Sequence, residues 1–201
     1  MKKGFLIAIE GIDGSGKSVI ANELVKFLSS LGHDAILLKE PSDSIYGQKI
    51  KKAEERLPPE EELRLFLLDR ELDVKERILP ALEKGKIVVM DRYYYSNVAY
   101  QSVRGIEAKK ILELNEKIAP KPDLVIILDL SAESAIKRIL LRGKLTVFES
   151  KEDLEKVREN FLKMADEKSI VINAEKPLED VKKEVFEIVK KSLNSYYLSR
   201  S

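Results

Sequence analysis

Residues 11–18 read Gly11-Ile12-Asp13-Gly14-Ser15-Gly16-Lys17-Ser18 and satisfy the spacing G-x-x-x-x-G-K-[ST]. That spacing builds a loop whose backbone N–H groups close around the phosphates of a nucleoside triphosphate. Gly11, Gly14 and Gly16 permit backbone angles and a closeness of approach that a Cβ would block. Lys17 supplies a point charge for the β- and γ-phosphates, and Ser18 a hydroxyl for Mg²⁺. The flanks agree with the loop. An apolar run over residues 5–9 precedes it and a helical pattern follows, so a strand, a loop and a helix N-terminus converge on one anion site.

A second group lies some 75 residues on. Asp91-Arg92 follows the apolar run 87–90. A carboxylate at the mouth of a strand can orient water on Mg²⁺, and an arginine there can hold a phosphate; a structural ion pair is the other reading. The chain continues Tyr93-Tyr94-Tyr95-Ser96-Asn97-Val98-Ala99-Tyr100-Gln101, which places four of its seven tyrosines within eight residues. Flat rings with polar tips suit a nucleobase and a sugar, although a buried helix would use the same rings for packing. The Gln101 amide carries a donor and an acceptor, as a base edge requires. Phe66 and Arg70 stand four apart, on one helical face. Arg70 can donate to a base carbonyl; Phe66 can stack on the ring, but helical spacing alone favours a core position. Arg138 and Arg142 are likewise four apart and lead into Gly143, a pattern for a mobile lid over phosphates or for a solvated basic face. His33 follows a helix stop and reads as a surface turn.

Composition narrows the classes. The chain has 201 residues, enough for one α/β domain with its own core. With 36 Lys+Arg against 35 Asp+Glu the net charge is +1, which gives no basic excess for nucleic acid or an acidic membrane. There is no cysteine and one histidine, so neither a disulfide framework nor a zinc site of Cys or His ligands is available. No apolar run reaches the ~18 residues of a membrane span and the first ten residues do not form a signal peptide; the expected location is cytoplasmic. Charged residues make up 35%, above the usual ~25%, as ion-paired thermophile surfaces or ordinary solvated helices both produce.

Apolar runs alternate with helical patterns. Strands are expected at 5–10, 35–39, 86–90, 124–130 and 170–173, each almost continuously apolar as in a parallel sheet covered on both faces. Helices are expected at 18–31, 46–55, 60–83, 107–118, 131–142, 152–166 and 177–194. Gly32 ends the first, Pro58-Pro59 separate the second from the third, and Ser131 caps the start of the fifth. The pattern predicts a single domain over 1–201: a three-layer, doubly wound fold on a five-stranded parallel sheet, with ligands at the strands' carboxyl ends. The tail 192–201 is left as surface structure or a partner contact.

These residues together resemble the thymidylate kinase family of P-loop nucleoside monophosphate kinases. The resemblance is carried by Glu10-Gly11-Ile12-Asp13-Gly14-Ser15-Gly16-Lys17-Ser18, by Phe66…Asp69-Arg70, by Asp91-Arg92-Tyr93…Ser96…Ala99-Tyr100-Gln101, and by Arg138…Arg142-Gly143…Phe148-Glu149 as a lid over about 142–151. It implies transfer of a phosphoryl group from ATP to dTMP with Mg²⁺, in a homodimer. It further implies that Asp13 accepts the 3′-hydroxyl of dTMP, Phe66 stacks on thymine, Arg70 contacts its O4, Arg92 holds the dTMP phosphate, Gln101 meets the base edge, and Tyr100 disfavours a ribose 2′-hydroxyl. Ser96 and Asn97 complete the expected substrate wall, Ser18 and Asp91 the metal site. By the same resemblance the loop residues with Arg138 and Arg142 would hold ATP, and Lys17, Arg92, Arg142 and Asp13 are the expected catalytic set. A phosphate monoester is mostly dianionic near pH 7, its second pKa being ~6, so alignment and positive charge matter more than a strong base.

The chain departs from the family pattern in two places. A family member carries a catalytic arginine in the phosphate loop or in the lid. Gly14 occupies the loop position, and Thr146-Val147-Phe148-Glu149 stands where the lid has Asp-Arg-Phe-Glu, so the charge falls to Arg142, with Arg138 and Lys144 in reserve. Lys39-Glu40-Pro41-Ser42-Asp43 replaces an Arg-Glu-Pro-Gly-Gly-like stretch, and a lysine cannot make a planar bidentate phosphate contact. The alternatives are a kinase of UMP, dUMP or a nucleoside, a GTP-binding switch, and a nucleotide-binding protein without catalysis. A switch requires Asn-Lys-x-Asp, which Asn115-Glu116-Lys117 does not supply.

Overall fold

The computed structural model describes residues 4–53, 55–141 and 150–199. Strands β1 (Phe5–Glu10), β2 (Ala35–Lys39), β3 (Ile87–Asp91), β4 (Leu124–Asp129) and β5 (Ser169–Asn173) pair in parallel in the order β2-β3-β1-β4-β5. The expected strands agree with these to within one residue at each end. β1 and β3 are buried along their whole length, which is why they read as unbroken apolar runs and not as alternation. The connection after β1 runs to β2 on one side and that after β3 runs to β4 on the other, so the carboxyl ends of β1 and β3 open on one crevice.

The helices cover both faces. Helix α1 (Lys17–Ser30) follows β1 directly and buries Ile20, Ala21, Leu24 and Leu28. Gly32 ends it at φ +82°, and the His33 N–H closes back on Leu28 O at 3.1 Å. Helix α2 (Ile45–Lys51) is capped by Ser44 Oγ, which accepts from the N–H groups of Tyr46 and Gly47. The single helix expected over 60–83 is instead α3 (Pro59–Asp73), a π turn (Val74–Ile78) and α4 (Leu79–Glu83). Pro80 has no N–H to give and its ring crowds the preceding turn, and the wider π turn upstream absorbs that interruption.

Helices α5 (Tyr94–Val103) and α6 (Ala108–Glu116) follow β3; α7 (Ala132–Leu140), capped by Ser131, follows β4. Then come α8 (Lys151–Lys163), capped by Ser150, and α9 (Leu178–Leu198). Helix α7 stops two residues short of the expected 142, and the segment 142–149, with Arg142, Lys144 and most of the expected lid, lies outside the described residues. Most of the tail is helical: α9 runs through Leu198, Tyr196 packs edge-on against Phe5 at 4.8 Å, and its hydroxyl donates to Gly4 O at 2.9 Å.

Candidate active site

The loop after β1 is shaped by contacts that exclude side chains. Gly11 lies at φ +137°, and a Cβ there would stand 2.6 Å from Leu128 O; Gly14 lies at φ +80°, with Ala135 O 2.8 Å from a Cβ. Gly14 is thus pressed against α7, which leaves no room for a side chain at that loop position. Lys17 begins α1. Its side chain is buried and its ammonium donates to Ile12 O at 2.7 Å. Burial and then the nearby Arg92 charge push the Lys17 ammonium down to about 7, against Asp13, Asp91 and Glu10, which raise it.

Beside it, Ser18 Oγ donates to Asp91 Oδ2 at 2.5 Å, and Lys39 Nζ sits 3.2 Å from the same oxygen. Asp91 Oδ1 is buried and has no hydrogen-bond partner. A hydroxyl and a carboxylate with one unengaged oxygen are hard ligands, few in number, as suits an ion that keeps most of its water. The donor set fits Mg²⁺.

Arg92 leaves β3 at φ +72°, the sole non-glycine residue with positive φ among those described. Such a conformation costs about 1–3 kcal/mol and persists only when its surroundings over-determine it. Here the Arg92 N–H donates to Ile9 O at 3.1 Å, and the Glu10 carboxylate accepts from the backbone N–H of Tyr93 at 2.8 Å and of Ser96 at 3.3 Å and from Ser96 Oγ at 2.5 Å. Burial pushes the Glu10 carboxyl up to about 7 despite these donors and the Arg92 charge. The turn aims the guanidinium back over the phosphate loop, where it pairs with Asp13, donates to Ser96 Oγ at 3.1 Å and lies over the Tyr100 ring at 5.3 Å.

Asp13 and Tyr100 form one unit. The Tyr100 hydroxyl donates to Asp13 Oδ2 at 2.8 Å and accepts from the Asp13 N–H at 3.1 Å. Burial pushes the Asp13 carboxyl up, but the Arg92 and Lys17 charges and the tyrosine hydroxyl outweigh it and hold it at about 2. Asp13 is therefore an acceptor throughout the neutral range. Lys17, Ser18, Asp91, Arg92, Ser96, Asp13 and Tyr100 thus converge at the ends of β1 and β3.

Phe66, Arg70, Asn97 and Gln101 occupy the facing surfaces of α3 and α5, which pack together. Phe66 is half-buried and belongs to neither apolar cluster, so the core placement that its spacing favours does not hold. Arg70 is fully buried, doubly bonded to Glu40 and donating to Asn115 Oδ1 and, at 3.3 Å, to Asn97 Oδ1. Gln101 donates through Nε2 to Glu62 at 2.6 Å. The tyrosine run divides. Tyr93, Tyr94 and Tyr95 are core residues, so only Tyr100 serves the crevice. Arg138 donates to Ala174 O at 2.9 Å beside β5, away from the Arg92 cluster; Arg142 lies outside the described residues.

Sequence reasoning did not assign roles to Glu10, Glu62, Asn115 or Arg158. Arg158 on α8 makes a two-bonded pair with Asp129 at the end of β4 (2.6 and 2.9 Å). Glu10 carried a signal, a carboxylate closing an otherwise apolar strand; the others look like ordinary polar helix residues.

A family model described as thymidylate kinase matches residues 9–185. A protein of Archaeoglobus fulgidus named "Probable thymidylate kinase" is 58% identical over 94% of this chain and 96% of its own length. One of Pyrococcus horikoshii with the same name is 41% identical (95% and 98% covered), and the "Thymidylate kinase" of Brachyspira hyodysenteriae is 39% identical (94% and 95%). The family match spans the phosphate loop and the Arg92 turn and reaches into the last helix: the chain belongs to the thymidylate kinase family.

Proposed function

We propose that this protein transfers the γ-phosphoryl group of ATP to the phosphate of dTMP, giving dTDP and ADP. The observation that carries the reading is the Arg92–Asp13–Tyr100 unit standing directly against the Lys17 loop. It offers an arginine for an acceptor phosphate next to a lysine for a donor phosphate. It also offers an unprotonated carboxylate for a sugar hydroxyl, with an aromatic ring filling the adjacent space. Lys17 releases Ile12 O to meet the β- and γ-phosphates, and Arg92 orients the acceptor dianion for in-line attack. Ser18 and Asp91 would hold Mg²⁺, which would neutralise charge on the donor phosphates. On the second wall, Phe66 stacks on the base, Arg70 faces its O4, Asn97 and Gln101 border its edge, and Ser96 holds Arg92.

The loop cannot supply an arginine at Gly14, so we assign the lid charge to Arg142, with Arg138 flanking the ATP side. The reading includes a homodimer in the cytoplasm, which sedimentation at twice the monomer mass would support. The test is an ADP-release assay with Mg²⁺-ATP across dTMP, dUMP, UMP, dCMP, dGMP and thymidine. Preference for dTMP is expected. Preference for UMP or dUMP moves the assignment to a uracil nucleotide kinase, and turnover of thymidine alone removes Arg92 from the acceptor site.

A further inference from the structure

Glu62 lies on α3, buried and one helical turn before Phe66, and touches none of the phosphate-binding residues. Three donors converge on its Oε2: Gln101 Nε2 at 2.6 Å, Arg104 Nη1 at 2.6 Å and Arg56 Nη2 at 3.5 Å. Arg104 is itself held by Leu57 O at 2.7 Å. A carboxylate facing two guanidinium groups accepts and does not donate. The end of the Gln101 amide that meets it must therefore be the NH₂, whichever way the group would otherwise turn. The other end follows: Gln101 Oε1 is buried, and it has no hydrogen-bond partner.

We infer that Glu62 is a positioning residue, which locks the Gln101 amide with its carbonyl unengaged so that the pocket selects a nucleotide whose base offers a ring N–H. This rests on the pyrimidine monophosphate reading above and says how that site tells bases apart. Thymine and uracil carry a hydrogen on N3. Cytosine has a lone pair there, so its entry sets two acceptors face to face and leaves Oε1 without a donor. Discrimination by an unpaired buried polar group is much stronger than discrimination by shape alone. Gln101 without Glu62 can rotate and offer its NH₂ to cytosine. The selectivity then belongs to the pair and not to Gln101 alone.

The test uses the full-length protein with Mg²⁺-ATP and compares dTMP with dCMP. Glu62→Leu is expected to raise KM for dTMP and to lower the kcat/KM preference for dTMP over dCMP, each by about tenfold or more, with kcat and the KM for ATP within about twofold. Gln101→Glu alone places two carboxylates in contact and weakens dTMP binding. The exchanged pair Glu62→Gln with Gln101→Glu restores an amide donor facing a carboxylate, whose second oxygen is again a free acceptor, and is expected to bring KM for dTMP back towards wild type. The exchange also decides the matter if Glu62→Leu does not fold. An unchanged dTMP/dCMP preference in Glu62→Leu, or an exchanged pair no better than Gln101→Glu alone, overturns the inference. Wild-type protein that uses dTMP while these variants fail to respond sinks the Glu62 role only; wild-type protein that turns over neither dTMP nor a uracil nucleotide sinks the pocket reading with it.

Discussion

The Glu10 carboxylate accepts the Tyr93 N–H at 2.8 Å, and so braces from β1 the left-handed turn at Arg92 that ends β3. The two central strands are joined by a buried side chain at the point where the site begins. Glu10→Ala removes the acceptor of three hydrogen bonds and is expected to cost about 2–4 kcal/mol, three bonds at ~1 kcal/mol each plus the space left behind. Urea unfolding checks the stability. The KM for dTMP should rise in the surviving folded protein, because the turn then loses its grip on the guanidinium.

Arg92 carries function at the expense of backbone comfort. Arg92→Gly relaxes the positive φ, which offsets the loss of the Asp13 pair. Stability is expected to stay within about 1 kcal/mol of wild type, while kcat/KM for dTMP falls by roughly 10²-fold or more. Parallel denaturation and steady-state kinetics separate the two effects; an active Arg92→Gly protein would remove the acceptor-phosphate role.

Lys17 links ATP binding to pH. Burial holds its free-state ammonium at about 7, against 10.5 unfolded. Donor phosphates favour the charged form, so binding above that value takes up a proton. The affinity for ATP is expected to fall with rising pH between about 7 and 9, by at most about tenfold per unit. Folding stability moves the other way: between about 7 and 10.5 the unfolded lysine keeps a proton that the folded one has released, so this group adds stability as pH rises. Calorimetry in buffers of different ionisation enthalpy reads the uptake, and Lys17→Met should abolish both the uptake and turnover.

The lid charge is checked by Arg142→Ala, expected to lower kcat by roughly 10²-fold, the scale of one transition-state charge. Gly14→Arg in that background is expected to restore nothing, because the Cβ would meet Ala135 O at 2.8 Å with the backbone at φ +80°. Single-turnover kinetics on both variants measure this. Wild-type rates in Arg142→Ala would move the role to Arg138 or Lys144.

The sheet was legible because buried parallel strands are apolar on both faces, so their runs in the sequence stop where the strands stop. The phosphate loop was legible because its contacts are local and its backbone demands glycine. Less could be read where partners are distant in sequence. Glu10 meets residues 83 and 86 positions away, and Gln101 meets Glu62 across 39; no periodicity encodes such pairs. The tyrosine run misled for a related reason. A ring that lines a pocket and a ring that fills a core have the same composition, and only the turn at Arg92 decides that residues 93–95 point inward while Tyr100 reaches Asp13. Phe66 shows the reverse, with core spacing at a position that the fold leaves half-buried.

The contact between Tyr196 and the start of β1 sets an order on how the molecule is made. Phe5 and Gly4 are synthesised long before the Tyr196 ring and hydroxyl that seat them, 191 and 192 positions downstream. The neighbours of β1 in the sheet, β3 and β4, also lie downstream by some 80 and 120 residues. The segment that will grip phosphate is therefore synthesised early and waits, apolar and unpaired, until nearly the whole chain is available to enclose it. The phosphate loop is thus held in place by contacts that close only after much of the chain has been made.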